Sequence, residues 1–319
     1  MALNAPVVGW PAAMDEILRG DQAVAFAYVT PARGVVMLPL TNVGISDRRT
    51  GRVTPVSSSV GMWKKLQRIQ QNPHVAVAYH TRAHGFTARP EYVLLQGRAS
   101  LTPFDQRDWV ERHLENWERF SGPRRVGPIG ERWLRAYHWR VGVEVEVERL
   151  VTWRDLACTA ECAVVGDPLP GDPEAQRAPA KGTGPRIDHL RAARRARRLP
   201  NVLLGWLGGD GLPVVVPVTV TGTESDGIVL QLPPGALAPS GGRRAALLAH
   251  SFARYTFGQH QRKHTGWLEV DGDGQSALYA PHTESGYHLP KSRLLYRIGS
   301  GLVTNRGLRQ ARRAKFIGS

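Results

Sequence analysis

GMWKKLQRIQQNPHVAVAYH, residues 61 to 80, is the stretch that decides how the chain is read. Met62, Leu66 and Ile69 fall at i, i+4 and i+7, which predicts one apolar stripe on a short helix, with Lys64, Lys65, Gln67, Arg68 and Gln70 on the other face. Asn72-Pro73 ends that helix, because proline has no N–H to continue the ladder and disfavours helical geometry in the residue before it. Val75, Val77 and Tyr79 then alternate, the mark of a strand with one buried face. A helix start offers free backbone N–H groups and the positive end of the dipole. With two ammonium groups added, the stretch predicts a phosphate seat at Lys64 and Lys65. The competing reading is a solvated lysine pair on an ordinary surface helix.

Upstream, Met14, Ile17 and Leu18 have helical spacing, Val24 to Val29 reads as a buried strand, and Thr30 to Gly34 is a turn into a hairpin partner from Val35 to Thr41. A second turn, SDRRTGR, leads into Val53 to Val56 and the run Ser57-Ser58-Ser59. Downstream, Tyr92 to Leu101 predicts another strand and TPFDQRDWVERHLENWERF one long helix. Val141 to Val147 alternates strictly, as in an edge or half-exposed barrel strand. The first half is therefore expected to be mainly β with helices between strands.

With 319 residues, 42% of them apolar, the chain can supply the cores of two ordinary domains. No apolar run approaches the ~20 residues that span a bilayer, and MALNAPVVGWPAAMDE lacks the basic and apolar regions of a signal peptide, so the cytoplasm is the expected location. Cys158 and Cys162, four apart, make neither a disulfide framework nor half of a zinc site and read as ordinary thiols. The net charge of +15 implies an anionic partner: nucleic acid, an anionic cofactor or an acidic substrate.

Residues 167 to 185 are rich in Pro, Gly, Ala and charge without a hydrophobic period, and read as a linker. Beyond them the pattern of the first half begins again. Val24-Ala25-Phe26-Ala27-Tyr28 aligns with Val202-Leu203-Leu204-Gly205-Trp206; without a gap, Pro39-Leu40-Thr41 meets Pro217-Val218-Thr219 and Gly44 meets Gly222. Val53 to Val56 then corresponds to Ile228 to Leu232, and Gly61 to Lys65 to Ser240 to Arg244, so that Arg243 and Arg244 would repeat the basic pair at a second helix start. The expected domains are a barrel over residues 1–166, a linker over 167–186 and a second, barrel-like copy over 187–319.

After that point the copies diverge. GWLEV-DGDG-QSALYA is a hairpin by its Asp-Gly turn, and Arg254, Tyr255, His260, Arg262, His264, His282, Tyr287 and His288 lie within a few dozen residues, either lining a cleft or scattered over surface and core. His260 and His264 are four apart but lack the nearby Glu of a zinc-protease motif, and no metal site is expected. The basic segments HLRAARRARR and RGLRQARRAKF raise nucleic-acid binding as a third-ranked reading.

The order of hairpins, the short basic helix ending in Asn-Pro, and the strand YVLLQGRASLT resemble the pyridoxamine 5′-phosphate oxidase-like family of flavin-binding split β-barrels. The residues carrying the resemblance are Gly34 to Thr41, Ser57 to Ser59, Lys64-Lys65 followed by IQQNPHVAV, and Val93 to Leu101 with Gln96-Gly97-Arg98. It implies two tandem split β-barrels forming an intramolecular pseudo-dimer, with FMN or the deazaflavin coenzyme F-420 bound between barrels. Lys64 and Lys65 would hold the cofactor phosphate with help from Ser57, Ser58 and Ser59; Pro39, Leu40 and Thr41 would lie beside the ring, and Arg243 and Arg244 would stand at the matching point of the second copy. The Arg-rich signature of vitamin B6 oxidation is missing from this sequence, so that substrate is not carried over. The polyglutamate tail of the deazaflavin suits an arginine-rich chain somewhat better than FMN does. The implied activity is a flavin- or deazaflavin-dependent oxidoreductase with a small-molecule substrate, monomeric or weakly oligomeric, with Tyr79, His80 and Tyr255 as unranked proton donors. The alternative is a non-catalytic flavin- or haem-binding protein of the same fold.

Overall fold

The computed structural model describes residues 7–124 and 127–317. A short helix, α1 (Ala12–Leu18), leads into β1 (Ala23–Val29), β2 (Val35–Thr41), β3 (Ile45–Asp47) and β4 (Arg52–Ser59). A 3-10 turn at Val60–Met62 precedes α2 (Trp63–Gln71), followed by β5 (His74–Tyr79) and β6 (Tyr92–Leu101). Three helices, α3 (Trp109–Arg112), α4 (Leu114–Ser121) and α5 (Pro128–His138), come before β7 (Arg140–Trp153) and β8 (Ala163–Gly166). The second part has α6 (His189–Ala196), β9 (Asn201–Leu207), β10 (Pro213–Pro217), β11 (Thr219–Glu224), β12 (Gly227–Gln231), β13 (Gly241–Ser251), β14 (His260–Val270), β15 (Ser276–His288) and α7 (Arg293–Arg313). A 3-10 turn at Arg254–Thr256 joins β13 to β14.

Both sheets are antiparallel, and their strand orders are the same. The first runs β2-β1-β5-β6-β7-β4-β3, with β8 on β7; the second runs β10-β9-β13-β14-β15-β12-β11. Each strand of the second is the image of the strand in the same place in the first. One bulge repeats as well: the β6–β7 register shifts at Gln96/Gly97 and the β14–β15 register at Thr265/Gly266. In each case a glycine is required, because a Cβ on Gly97 would collide with the Glu146 carbonyl and one on Gly266 with the Ala280 carbonyl. The fold class is mainly β with helices, in two tandem copies.

Alternation along the central strands explains how the copies join. On β1, Val24, Phe26 and Tyr28 point into the first barrel, while Ala25, Ala27 and Val29 join the shared core with Leu203, Leu204 and Trp206 of β9. β5 does the same, with Val75, Val77 and Tyr79 inward and Ala76 and Ala78 outward. Large side chains fill the barrel and small ones face the other copy. The backbone of β9 comes close at Gly205, where a Cβ would sit 2.8 Å from Met37 Sδ. Both copies therefore contribute to one continuous core, and Tyr92 and Gln96 tie it further by donating to the carbonyls of Val215 and Pro213.

Three sequence expectations change. The segment from Trp109 to Ser121 is two helices with a break at His113 instead of one. β7 sits between β6 and β4, so of the two readings the half-exposed barrel strand holds, with Val141 to Val147 buried on alternate positions and Glu146 exposed, and the edge reading does not. Most consequential, Arg243 and Arg244 lie on β13, paired with Leu268 and Trp267 of β14, and no helix stands at that point. Matching the registers of β5 on β1 and of β13 on β9 places Ala78 opposite Leu248, so the counterparts of Arg243 and Arg244 are Pro73 and His74. The basic pair does not recur.

Candidate active site at the junction of the copies

A cavity of about 360 Å³ opens where β2, β4 and α2 of the first copy face the 3-10 turn and the end of β15 in the second. Pro39, Leu40 and Thr41 line one side; Ser57, Ser58, Ser59 and Lys65 line another. Seven residues named from the sequence thus meet in one cavity. The chain wall opposite is made by Thr256, Gln259, Tyr287 and Leu289, and α7 covers it with Tyr296, Ser300, Val303 and Thr304.

Local structure explains each placement. β2 ends its sheet, so Pro39 removes no ladder hydrogen bond there, and its carbonyl accepts from Gln259 Nε2 at 2.9 Å. Thr41 Oγ1 meets Thr256 Oγ1 at 2.6 Å, a second bond across the copies. Tyr287 Oη donates to Gln259 Oε1 at 2.6 Å, and burial pushes its phenol up to about 12, so it stays protonated at neutral pH. Ser59 caps the 3-10 turn by accepting from Gly61 N and donates to Ala136 O at 2.7 Å. Tyr255 and Thr256 hold positive φ angles of 59° and 57°, a strained turn that delivers Thr256 to the site.

Electrostatically the cavity is one-sided. Lys65 is 9% exposed and makes no ion pair among the described residues, and burial, with Arg140 and Lys263 nearby, lowers its ammonium to about 7. Arg140 is half-buried, and the loss of solvent lowers its pKa; it donates to Ser57 Oγ at 3.2 Å and stacks over Trp117 and Tyr137. Among the described residues no carboxylate lines the cavity. Two desolvated cations without a counter-ion are costly unless an anion joins them, so the geometry favours a bound phosphate-type group beside the three serine hydroxyls. Tyr137 Oη and Tyr296 Oη, 3.2 Å apart, close the same wall.

The remaining sequence candidates fall elsewhere. Lys64 is exposed and lies 5.8 Å from the Trp63 ring, so only one of the lysine pair faces inward. Met62 is 43% exposed on the turn, while the expected apolar stripe is carried by Leu66 and Ile69. Arg243 is buried and donates to Ser240 O; Arg244 bonds Gln176. Tyr79 is fully buried in the first barrel. His80 and His250 are each two residues beyond the matched pair Ala78 and Leu248, and their Nε2 atoms meet at 2.8 Å. They mark the local two-fold between the copies. Nδ1 of His80 donates to Ala78 O at 3.0 Å, so its Nε2 accepts from His250. Arg140, Tyr137, Gln259, Thr256 and Tyr296 were missed by sequence reading, since each lies in a segment without a motif.

The two-fold image of the cavity is built on Pro217, Val218 and Thr219, with His80 and Thr81 facing them. Its one Arg or Lys among the described residues, Arg197, already donates to Val220 O, and no counterpart of Lys65 stands there because no helix separates β12 from β13.

No protein-family model matches the sequence, and no curated protein matches it. Solved structures do. The neighbours are pyridoxamine 5′-phosphate oxidase-like proteins. One is a protein related to general stress protein 26 of B. subtilis (pyridoxinephosphate oxidase family) from Clostridium acetobutylicum, 10% identical, matching 48% of this chain and 91% of its own, with a TM-score of 0.32. A pyridoxamine 5′-phosphate oxidase-related, FMN-binding protein from Nostoc punctiforme is 13% identical over 53% of this chain and 100% of its own, with a TM-score of 0.31. An F-420 reductase is 17% identical over 43% of this chain and 94% of its own, with a TM-score of 0.30. Each spans about half of this chain. Among the described residues no helix is long and apolar enough to cross a membrane.

Proposed function

We propose that the chain is a flavin- or deazaflavin-dependent oxidoreductase acting on a small organic substrate, with one cofactor held between the copies. The observation that carries this is the carboxylate-free cavity in which Lys65 and Arg140 converge on Ser57, Ser58 and Ser59. Its volume of about 360 Å³ lies within the ~300–1,000 Å³ of small-molecule sites. FMN or coenzyme F-420 would supply hydride transfer at its ring system.

In this reading Lys65 and Arg140 neutralise the cofactor phosphate and the serine hydroxyls complete its hydrogen bonds. Pro39, Leu40 and Thr41 flank the ring, while Gln259 and Tyr287 fix the opposite wall. Tyr287 Oη donates its proton to Gln259 Oε1 and so orients the Gln259 amide on that wall. α7 excludes water from above. Arg243, Arg244 and Lys64 take no part in holding the phosphate, and the two-fold image of the cavity stays without cofactor for want of a free cation. The protein would then carry one cofactor per chain.

The test is an absorption spectrum of the purified protein followed by titration with FMN and with F-420. Saturation at one equivalent supports the reading; no binding of either overturns it.

A further inference from the structure

A second cavity, of about 500 Å³, lies further along the same junction and belongs to neither copy alone. Arg68 reaches it from α2, Arg244 from β13, Lys263 from β14, and Arg186 from the segment joining the copies. No Asp or Glu lines it, and none of the four cations is in an ion pair among the described residues. The existing hydrogen bonds are to neutral groups: Arg244 to Gln176 Oε1 at 3.3 Å and Arg186 to Gly182 O at 3.0 Å. Lys263 is half-buried, and burial and the Arg68 guanidinium both lower its pKa.

Strand geometry adds the donors. Residues paired across an antiparallel ladder share a face, so Thr265 with Thr283 and Lys263 with Ser285 present one ammonium and three hydroxyls on one side of the β14–β15 ribbon, and all four residues line the cavity. Like charges gathered in a partly desolvated cleft repel one another until an anion offsets them. One monovalent ion cannot neutralise four cations.

We propose that this second cavity binds a multiply charged anion carrying two or more phosphate or carboxylate groups, separate from the phosphate seat at Lys65. β2 connects the two sites: Val35, Val36 and Met37 line this one and Pro39, Leu40 and Thr41 the other. From Val36 to Leu40 is about 13 Å of extended strand, close enough for one ligand to reach across and far enough for two to bind together.

Inorganic pyrophosphate is the probe, titrated calorimetrically into the full chain with and without saturating FMN. Pyrophosphate is expected to bind, with affinity falling steeply with salt. Lys263→Ala and Arg244→Ala should each weaken it by about tenfold or more, while Lys65→Ala changes it less than about twofold. Lys263→Arg and Arg244→Lys should retain binding, which separates loss of charge from loss of fold. If FMN leaves pyrophosphate bound and F-420 does not displace it, the anion is a separate ligand; if F-420 alone displaces it, the charges arrive on the cofactor's tail. No pyrophosphate binding, or binding abolished by Lys65→Ala and untouched by Lys263→Ala and Arg244→Ala, would overturn the site. FMN titration of the Arg244→Ala variant reports on the first cavity, since Arg244 lines only the second and its loss should leave FMN affinity within about threefold.

Discussion

Between β4 and β5 the first copy inserts a 3-10 turn and α2; between β12 and β13 the second has only residues 232–240, LPPGALAPS. The sheets on either side of these connections have the same order, yet the connections do different work. α2 brings Lys65 to one cavity and Arg68 to another. The proline-rich segment instead ties the copies together, with Trp153 Nε1 donating to Gly235 O at 2.9 Å and Gly235 N donating to Cys158 O. Strands buried on both faces tolerate little change, whereas a surface connection can be replaced as long as its ends stay in place. Duplication kept the frame and left the connections free to specialise.

Separating the copies should produce the largest effect. A fragment of residues 1–166 keeps Lys65 and the serines but loses Thr256, Gln259, Tyr287 and all of α7, and it uncovers Ala25, Ala27, Ala76 and Ala78. It is expected to aggregate or dimerise and to bind cofactor at least about a hundredfold more weakly, since a face built like a sectioned core does not stay exposed. Light scattering with an FMN titration decides; a soluble monomer of full affinity would mean the copies are independent beads.

The bulge glycines sharpen the comparison on the conserved side. Gly97→Ala and Gly266→Ala each force a Cβ against a backbone carbonyl, and each should cost about 3 kcal/mol or more in denaturant unfolding. Similar losses in both copies are expected; a loss in one alone would show that only one sheet bears the constraint.

The histidine pair on the local two-fold should make stability depend on acid. Burial holds His80 down at about 4 and His250 well below its usual value, with His80 adding to the effect on His250. Because both are neutral in the fold and protonate near 6.5 when unfolded, their contribution is complete above about pH 6.5 and is lost as pH falls toward 4. For His80 the loss approaches about 3 kcal/mol. Thermal melts from pH 7.5 to 4.5 should fall in the intact chain and flatten in the His80→Gln/His250→Gln double variant.

The smallest effects test the site itself. Lys65→Ala should weaken FMN or F-420 by about ten- to a hundredfold, the worth of a charge-assisted hydrogen bond, whereas Lys64→Ala and Thr219→Val at the image cavity should do nothing measurable. Since the Lys65 ammonium rests at about 7 and a bound phosphate would raise it, affinity should decline above pH 7. A flat profile through pH 9 would move the phosphate elsewhere.

The misplaced basic pair shows where sequence reading failed. Arg243-Arg244 followed by AALLAHS has the same look as a cation pair opening a helix, and a short unbroken apolar run cannot be assigned to helix or strand by period alone. The second copy has no helix between β12 and β13, so matching the two basic pairs to each other set the strand that follows out of register. The strands β1, β5 and β7 were legible as strands, but β5 was expected to bury one face and buries both, because Ala76 and Ala78 pack into the core shared with the other copy.

The sequence by itself determined the repeat of β1 and β2 in β9 and β10 and the mainly β architecture, because local periodicity and turn chemistry act over a few residues; the grouping of Pro39 to Thr41 and Ser57 to Ser59 with Lys64 and Lys65 was what the family resemblance implied, and Lys64 falls outside the cavity. Tertiary structure decided the rest. Arg140, Tyr137, Thr256, Gln259, Tyr287 and Tyr296 come from up to 257 positions away from Pro39, and His80 meets His250 across a two-fold that no single strand encodes. Such contacts follow from how two copies pack through their small alanine faces, a property of the pair of sheets and not of any segment.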